Sequence, residues 1–269
     1  MSVIKSRQNA KVKFAKRVAE GKERGLIFVE GARIVRETLP IAKRPELFVT
    51  EEFIEQNPAV ERALARNIFH LVSDDVFSTI AQTRSPQGVA MICQKPLTGR
   101  DVVEGVCTKK VAPVVIFLVE VNNPNNLGAI FRTAEAADVA GIITSQGSTS
   151  VFGSSAIRAS MGAAFRLPVW ESAEFDEAIA WANAHSLLPT GLQTDAKLPY
   201  SRIDASVARL LVFGSESHGL GKSQSNSIET HYSIPMMNSV ESLNLAVACG
   251  IVLFEINRTR TLSGAISKH

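Results

Sequence analysis

Short apolar runs alternate with segments of helical periodicity in two blocks of the chain. The apolar runs of the first block have strand length and are LIFVEG (26–31), ELFVT (46–50), NIFHLV (67–72) and GVAMICQ (88–94). The segments between them carry the apolar spacing of helices and are ARIVRETL, EEFIEQNPAVERALA and DDVFSTIAQ. We therefore predict an α/β domain over residues 1–96.

The second block repeats this alternation. Strands are predicted near 114–120, 141–145, 167–170, 187–192, 209–214 and 231–236, and helices near 128–138, 154–162, 174–185 and 240–257. Strongly apolar strands that alternate with helices are typical of a parallel sheet covered on both faces, in an α/β fold. The polar stretch between the blocks predicts a linker over 97–110, so the second predicted domain is 111–269.

Bulk composition indicates a soluble protein with a packed core. Hydrophobic residues make up 45% of the 269, yet the longest apolar run, Ala246 to Phe254, is too short to span a bilayer. The basic N-terminus lacks the apolar core of a signal peptide. Cys93, Cys107 and Cys249 have no paired spacing, which argues against disulfides and a zinc site. We expect a cytoplasmic protein with no membrane segment and no metal.

Positive charge is concentrated at the N-terminus. Residues 1–24 hold eight basic and two acidic side chains, in a chain whose net charge is only +3. Clustered cations are typical of proteins that bind polyanions, because each phosphate contact releases a condensed counterion. The residues expected to contact such a polyanion are Lys11, Lys13, Lys16 and Arg17. Charge alone equally allows a solvated helix face.

Three polar loops follow predicted strands of the second block. NNPNNLG (122–128) stands between an apolar run and a helical pattern, and its asparagines can cap the helix or hold the polar edge of a ligand. A role restricted to turn and cap is the alternative. The second loop is the glycine-rich end of RLLVFGSESHGLG (209–221), with one carboxylate, Glu216. The third precedes a long apolar helix, for which Asn238 and Glu241 fit a capping box.

The location of these loops indicates a ligand site. In open parallel sheets, ligands bind beyond the carboxyl ends of the strands, where such loops meet. The chain has neither a GxGxxG nor a GxxxxGK[ST] sequence, so neither a dinucleotide fold nor a P-loop is indicated.

Taken together, the three loops resemble a known enzyme family. NNPNNLGAIFRTAEA, LVFGSESHGL and IPMMNSVESLNLAVACGI closely resemble the three motifs of the SpoU family of RNA ribose 2′-O-methyltransferases, in the SPOUT superfamily, over roughly residues 112–260. RASMGAAFRLPV (158–169) is similar to the segment between the first two motifs. Asn125 and Asp138 stand where the family commonly has glycine; asparagine tolerates positive φ, so the turn at 125 should survive.

The first block also resembles part of this family. FVEGARIVRETL and SPQGVAMI are similar to the substrate-binding domain of the rRNA-modifying branch. The implied fold is an N-terminal, ribosomal-protein-like α/β RNA-binding domain, followed by a SPOUT parallel-sheet domain with a trefoil knot. The resemblance also implies a homodimer whose interface is built by the knot region, and RNA as the partner.

The resemblance implies transfer of a methyl group from S-adenosyl-L-methionine to a ribose 2′-hydroxyl, without a metal. It maps the family's active-site positions onto Asn126, Arg132, Glu216, Ser242 and Asn244. The cofactor site that it implies lies around Leu192, Gly214, Ser215, Ile234, Met236 and Leu243. A guanidinium stays protonated in proteins, so we expect Arg132 to stabilise the developing alkoxide or a nearby phosphate. The asparagines would orient the ribose and the arginine, Glu216 would anchor the arginine or its loop, and Ser242 would hydrogen-bond the substrate.

Several alternatives remain open at this point. Without the family resemblance, the expected role of Arg132 is a helix-surface ion pair with Glu135 or Glu216. For His218, a role in the turn is favoured over a role as a catalytic base. The expected substrate is large-subunit ribosomal RNA, with tRNA as the runner-up. An RNA-binding assembly factor that has lost catalysis and an enzyme acting on a small molecule are the other candidate functions.

Overall fold

The computed structural model describes residues 2–60 and 64–262. The chain forms two compact units, one from Met1–Pro96 with Phe152–Phe165 and the other from Leu97–Val151 with Arg166–His269. The segment 152–165, which lies within the second predicted domain, therefore packs in the first unit. The domain boundaries stay a prediction. Residues 61–63 of the predicted helix EEFIEQNPAVERALA lie outside the described residues, as do residues 263–269 of the predicted second domain.

The described secondary structure follows the predicted alternation. The strands are β1 Leu26–Glu30, β2 Glu46–Val49, β3 Ile68–Leu71, β4 Val89–Gln94, β5 Val114–Leu118, β6 Gly141–Ser145, β7 Val169–Ala173, β8 Leu188–Leu192, β9 Leu198–Pro199, β10 Arg209–Phe213 and β11 Thr230–Ser233. The α-helices are α1 Ala10–Ala19, α2 Ala32–Thr38, α3 Glu51–Gln56, α4 Asp74–Ile80, α5 Arg100–Cys107, α6 Pro124–Ala136, α7 Ser154–Ser160, α8 Ala163–Arg166, α9 Phe175–Ala184, α10 Lys222–Asn226 and α11 Leu245–Leu262.

The first unit has a four-stranded sheet in the order β1-β4-β2-β3. Only β2 and β3 are parallel, because β4 runs antiparallel to both of its neighbours. The sequence predicted an α/β unit here without strand directions, since the order of elements along the chain does not reveal that the last strand enters the middle of the sheet in the opposite direction. Side chains alternate across β1, so that Ile27 packs with the α7 residue Ile157 and Phe28 with Val12 of α1.

The second unit has a seven-stranded sheet in the order β7-β6-β5-β10-β8-β11-β9, and all of its pairings are parallel. Every residue of β5, β6 and β10 is buried, as expected for central strands covered on both faces. This confirms the predicted parallel α/β sheet. The trefoil knot stays a prediction.

The segment 97–110, interpreted from the sequence as a linker, contains the helix α5. Val103 of this helix is fully buried and packs against the second unit's sheet, where Gly141 makes room for it. A Cβ at Gly141 would lie 2.9 Å from Val103 Cγ1. The segment is therefore part of the core of the second unit, which its charged and glycine-containing sequence did not indicate.

The strand order of the second unit creates a point where neighbouring connections diverge. The chain proceeds from β5 outward to β6 and β7, then returns to β8 on the opposite side, and β10 later inserts between β5 and β8. The carboxyl ends of β5, β10, β8 and β11 consequently meet at one edge. This is the place at which open α/β sheets bind ligands. Within the described residues, no helix is long and apolar enough to cross a membrane.

Candidate active site

A pocket of about 1210 Å³ lies at this edge of the second unit's sheet. Residues that follow the four converging strands line it, among them Asn122 after β5, Leu192 at the end of β8, Gly214 after β10 and Ile234 after β11. Its volume exceeds the roughly 300–1,000 Å³ of pockets that hold one drug-sized ligand. The pocket is therefore large enough for two reacting groups to meet.

The asparagine loop forms one wall of the pocket and begins helix α6. Asn123 is the N-cap, and its side chain accepts hydrogen bonds from the backbone N–H groups of Asn125 (2.9 Å) and Asn126 (3.4 Å). Pro124, at the first helical position, has no N–H to satisfy. The helix thus starts four residues earlier than predicted, and its first turn carries Asn126 into the pocket.

A chain of side-chain hydrogen bonds connects the three polar loops. Asn126 Nδ2 donates to Glu216 Oε1 at 3.1 Å, and Asn244 Nδ2 donates to Asn126 Oδ1 at 3.0 Å. Asn244 Oδ1 in turn accepts from the backbone N–H of Ala246 at 3.0 Å. Because an amide has distinct donor and acceptor ends, these bonds fix the orientation of both asparagines.

Glu216 also holds the backbone of the asparagine loop. Its Oε2 accepts from Asn122 N and its Oε1 from Asn123 N, each at 3.4 Å. One carboxylate therefore ties the loop after β10 to the loop after β5. Asn244 caps α11, which begins at Leu245, so the predicted capping box of Asn238 and Glu241 was wrong.

A tight turn after β10 shapes the floor of the pocket. Ser215 and Gly219 exchange backbone hydrogen bonds of 3.1 and 2.9 Å, and this turn presses against Gly214. A Cβ at Gly214 would lie 2.0 Å from the carbonyl carbon of Gly219 and 2.3 Å from the nitrogen of Leu220. The turn can close only because residue 214 is glycine.

All six residues predicted to bind the cofactor line the pocket: Leu192, Gly214, Ser215, Ile234, Met236 and Leu243. Leucine, isoleucine and methionine supply an apolar wall, and the turn at Gly214 supplies backbone polar groups beside it. An apolar wall with a few polar groups is the usual lining for a small organic ligand. The residues present therefore fit a nucleoside with a polar tail, such as S-adenosylmethionine.

Four of the five predicted catalytic residues line the same pocket, namely Asn126, Glu216, Ser242 and Asn244, whereas Arg132 does not. Arg132 is exposed on α6, and six residues turn the helix by about 240°, so that it faces away from Asn126. The alternative ion pair with Glu135 does not form, because that carboxylate pairs with Arg166. A single chain therefore does not bring Arg132 to the pocket.

Several residues that line the pocket were not predicted from the sequence. Asn122 and Asn123 belong to the quoted loop but were not singled out, and Asp195 and Tyr232 also line the pocket. Asp195 follows β8, so its position after a predicted strand could have indicated that it lines the pocket. His218 lines the pocket too, and its backbone N–H donates to Ser215 Oγ at 3.2 Å, which shows the turn role that the sequence favoured.

The four predicted nucleic-acid contacts lie on α1 in the first unit. Val12, Ala15 and Val18 form the buried face of this helix, and all four cations are exposed. Two of them have acidic partners within the unit. Lys11 Nζ lies 3.9 Å from Glu46 Oε1, and Arg17 Nη2 lies 2.6 Å from Glu23 Oε1.

The chain's thiols are buried and protonated. Burial raises the pKa of Cys93 and Cys249 to about 12 each, and burial is the largest cause that raises the pKa of Cys107 to about 11. None of them is placed to act as a nucleophile. In the part of the chain that the structure describes, no three His, Cys, Asp or Glu residues are grouped to hold a metal ion.

The fold and the site define a two-unit α/β protein whose second unit carries a ligand pocket at the strand ends of its parallel sheet. Residues 113–254 match the model of the SpoU rRNA Methylase family, and residues 9–91 match that of the MRM3-like substrate binding domain. The chain belongs to the SpoU rRNA Methylase family, which confirms the resemblance seen in its motifs.

Two relatives match along almost their whole length. The chain is 29% identical to the 23S rRNA (guanosine(2553)-2′-O)-methyltransferase RlmP of Bacillus subtilis, over 95% of this chain and 99% of that one. It also resembles the crystal structure of an AdoMet-bound rRNA methyltransferase from Sinorhizobium meliloti, with a TM-score of 0.79, 28% identity and coverage of 96% and 98%.

A more distant structure shares the fold. The SpoU methyltransferase AviRb from Streptomyces viridochromogenes, solved with AdoMet, superimposes with a TM-score of 0.81 at 21% identity, covering 94% of this chain and 100% of that one. Because these neighbours span both units, they confirm the α/β fold that the sequence predicted for the whole chain.

Proposed function

We propose that this protein transfers a methyl group from S-adenosylmethionine to a ribose 2′-hydroxyl of large-subunit ribosomal RNA. The observation that carries the proposal is the hydrogen-bonded series Glu216–Asn126–Asn244 in the strand-end pocket of a SpoU-family chain. The RlmP relative and the match of residues 9–91 to a substrate binding domain support ribosomal RNA as the substrate.

The pocket would act mainly by positioning two reactants. S-adenosylmethionine, when bound, supplies a methyl group on a positively charged sulfur. The apolar wall and the Gly214 turn would hold that ligand, while the fixed amides of Asn126 and Asn244 orient the ribose. Correct alignment of two bound reactants alone provides a large part of such an acceleration. Ser242, which is exposed at the pocket, is available to hydrogen-bond the RNA.

A second copy of the chain would complete this site. Val247 and Phe254 of α11 are each 51% exposed, and they lie seven residues apart on one face of the helix. Thr133 of α6 packs close to Gly250, which lies between Val247 and Phe254 along α11, and Arg132 is the exposed residue that precedes Thr133. A homodimer formed through this surface would bury it, and the partner subunit's Arg132 would then supply the positive charge that one chain's pocket lacks.

The experiment for this arrangement is complementation between two inactive variants. Arg132→Ala should lower methyl transfer by about 10²–10³, the usual cost of lost transition-state charge stabilisation. Glu216→Ala should also be inactive, because the two loops lose the carboxylate that joins them. If arginine acts in the partner's pocket, mixed dimers of the two variants contain one intact site and recover activity. Mixtures that stay as inactive as the separate variants would show that both residues act within one chain. Arg132→Lys should rescue little, because an ammonium lacks the planar fork of a guanidinium.

The substrate is tested by mapping 2′-O-methyl groups in the RNA of cells with and without the gene. Loss of one methyl group from large-subunit ribosomal RNA is the expected result. Loss from a tRNA instead would select the runner-up substrate, and loss from neither RNA would leave an inactive assembly factor. The purified protein should methylate the same RNA in the presence of a chelator; activity that falls and returns with added zinc would overturn the metal-free mechanism.

A further inference from the structure

A small basic cleft of about 180 Å³ opens in the first unit. Its lining includes Gly31 at the end of β1, Arg33 of α2, Gln87 before β4 and Arg158 of α7. Three of these residues belong to the region that matches a substrate binding domain, whereas Arg158 comes from residues 152–165, within the region that matches the methylase. Two separate stretches of sequence thus converge on one cleft.

Arg158 is incompletely satisfied within the protein. Its Nη2 donates to Ser155 Oγ at 3.2 Å, but its Nη1 is buried and has no hydrogen-bond partner. A buried charged donor without an acceptor is costly, and most buried polar atoms in proteins are paired. The guanidinium of Arg158 therefore lacks a hydrogen-bond acceptor. A ligand in the cleft would supply one.

The nearby carboxylate does not fill this role. Glu30 is only 3% exposed, and its oxygens accept hydrogen bonds from Gln82 N (2.6 Å) and Thr83 Oγ1. These bonds hold the connection between α4 and β4 in place. In the same connection, Gln87 Oε1 accepts from Ala32 N at 2.9 Å, which leaves its NH₂ group as a donor. The carboxylate is thus engaged with the loop, and the other charged side chains that line the cleft are the two arginines.

We propose that this cleft binds one backbone phosphate of the substrate RNA through Arg158 and Arg33. Two guanidinium groups present several N–H donors to the oxygens of a phosphate, the anion that arginine recognises best together with carboxylate. The cleft is smaller than the roughly 300 Å³ at which pockets begin to enclose whole ligands, so it accepts a single group of a nucleotide. The inference depends on the proposed function, because it takes RNA as the substrate.

The test compares charge-removing variants of the full-length protein. Arg158→Gln and Arg33→Gln should each weaken binding of the substrate RNA about tenfold and lower the slope of log affinity against log salt by about one unit. Arg36→Gln is the matched control, since Arg36 is exposed one turn further along α2 and does not line the cleft. It should change neither quantity. Arg158→Lys should keep the salt slope and lose affinity, because a point charge replaces a fork.

Thermal unfolding and S-adenosylmethionine binding separate local from global effects. Arg158 is half-buried, so the RNA affinity of Arg158→Gln is interpreted only if its unfolding temperature and its S-adenosylmethionine affinity stay near those of the wild type. Arg33 is exposed, so the RNA affinity of Arg33→Gln is informative in either case. If Arg33→Gln and a folded Arg158→Gln bind RNA with unchanged affinity and slope, the cleft is not a phosphate site. That result leaves the proposed function standing, provided that the wild-type protein methylates RNA. A wild-type protein that methylates no RNA would overturn both.

Discussion

Asn126 occupies the middle of the hydrogen-bonded series and contacts a carboxylate through its amide nitrogen. Its Nδ2 lies 3.1 Å from Glu216 Oε1, whereas its Oδ1 receives Nδ2 of Asn244 at 3.0 Å. The side chain therefore needs both a donor and an acceptor at that position. Aspartate has the same shape but offers oxygen at both ends, which separates the requirement for shape from the requirement for a donor.

We predict that Asn126→Asp is more damaging than Asn126→Ala. Two carboxylates in contact repel each other, so the loop after β5 would separate from the loop after β10. Turnover should fall about 100-fold or more in the aspartate variant. The double variant Asn126→Asp/Glu216→Gln restores a donor opposite an acceptor and should regain much of the loss. The measurement is kcat at saturating RNA and cofactor. A kcat of Asn126→Asp equal to or above that of Asn126→Ala would contradict the prediction.

Gly214 is required by the turn that follows it. A Cβ at this position would lie 2.0 Å from the backbone carbonyl carbon of Gly219. Backbone atoms cannot rotate away as a side chain can. The turn that forms the pocket floor would have to open.

Gly214→Ala should therefore lower S-adenosylmethionine affinity by more than tenfold and also lower the unfolding temperature. Gly221→Ala is the matched control, because its Cβ would meet only the flexible Gln224 side chain, at 3.3 Å. Calorimetry of ligand binding and thermal unfolding would be compared for the two variants. Equal behaviour of both would mean that the turn adapts to a side chain at residue 214.

Helix α1 presents its cations in two electrostatic situations. Lys11 lies 3.1 Å from His70 Nε2 and 3.9 Å from Glu46, and Arg17 pairs with Glu23. Lys13 and Lys16 are exposed on the same face of α1, and the nearby carboxylate of Glu20 forms its ion pair with Lys22. Cations that already have acidic neighbours must exchange them for a phosphate, so they gain less from binding RNA.

We predict that Lys13→Gln/Lys16→Gln weakens RNA binding more than Lys11→Gln/Arg17→Gln does. The salt slope should fall by up to about two units for the first pair and by less for the second. S-adenosylmethionine affinity serves as the internal control and should stay unchanged in both double variants. If neither pair alters the slope, the basic stretch is a solvated helix face, which charge alone had left open.

Sequence patterns located the strands better than the ends of the helices. The apolar runs place β5, β6 and β10 almost to the residue, because fully buried strands consist of continuous apolar side chains. The two-residue strand β9 was missed because it is too short to show a period, and helix α5 was missed because its charged, glycine-containing sequence was interpreted as a linker. Helix α11 was predicted to start five residues early, because Asn238 and Glu241 have the spacing of a cap that Asn244 in fact provides.

The candidate site was predicted in its residue types but not in its pairing. Strand-end loops and motif resemblance singled out Asn126 and Asn244, which are 118 residues apart. Only the fold shows that Nδ2 of Asn244 donates to Oδ1 of Asn126. The outward direction of Arg132 was also missed, because it depends on where α6 begins. A helix that starts at Pro124 fixes the angle between residues 126 and 132.

At the scale of the whole molecule, the reactivity of two buried cysteines can reveal the opening of each unit separately. Cys93 lies in the first unit, and Cys249 lies in the second, next to the pocket residue Ala248. Burial raises the pKa of both thiols to about 12, so almost no thiolate is present at pH 8.5 in the folded protein. An alkylating reagent therefore reacts mainly when a unit opens.

We predict that S-adenosylmethionine slows alkylation of Cys249 and leaves that of Cys93 unchanged. A ligand stabilises the conformation that binds it, and the pocket belongs only to the second unit. Mass spectrometry of the two cysteine-containing peptides, after timed labelling at pH 8.5, gives both rates from one sample. Equal slowing of both cysteines would show that the two units open together.

The segment 152–165 has a consequence for how the protein is made. The first unit includes Ile157 in its hydrophobic cluster, although 55 residues of the second unit, Leu97–Val151, lie between this segment and Pro96. A ribosome adding about 5–20 residues per second needs roughly 3–14 s to proceed from residue 97 to residue 165. During that interval the nascent N-terminal half exposes an apolar surface that its own later sequence will cover. Vectorial synthesis therefore cannot complete the first unit before part of the second has emerged.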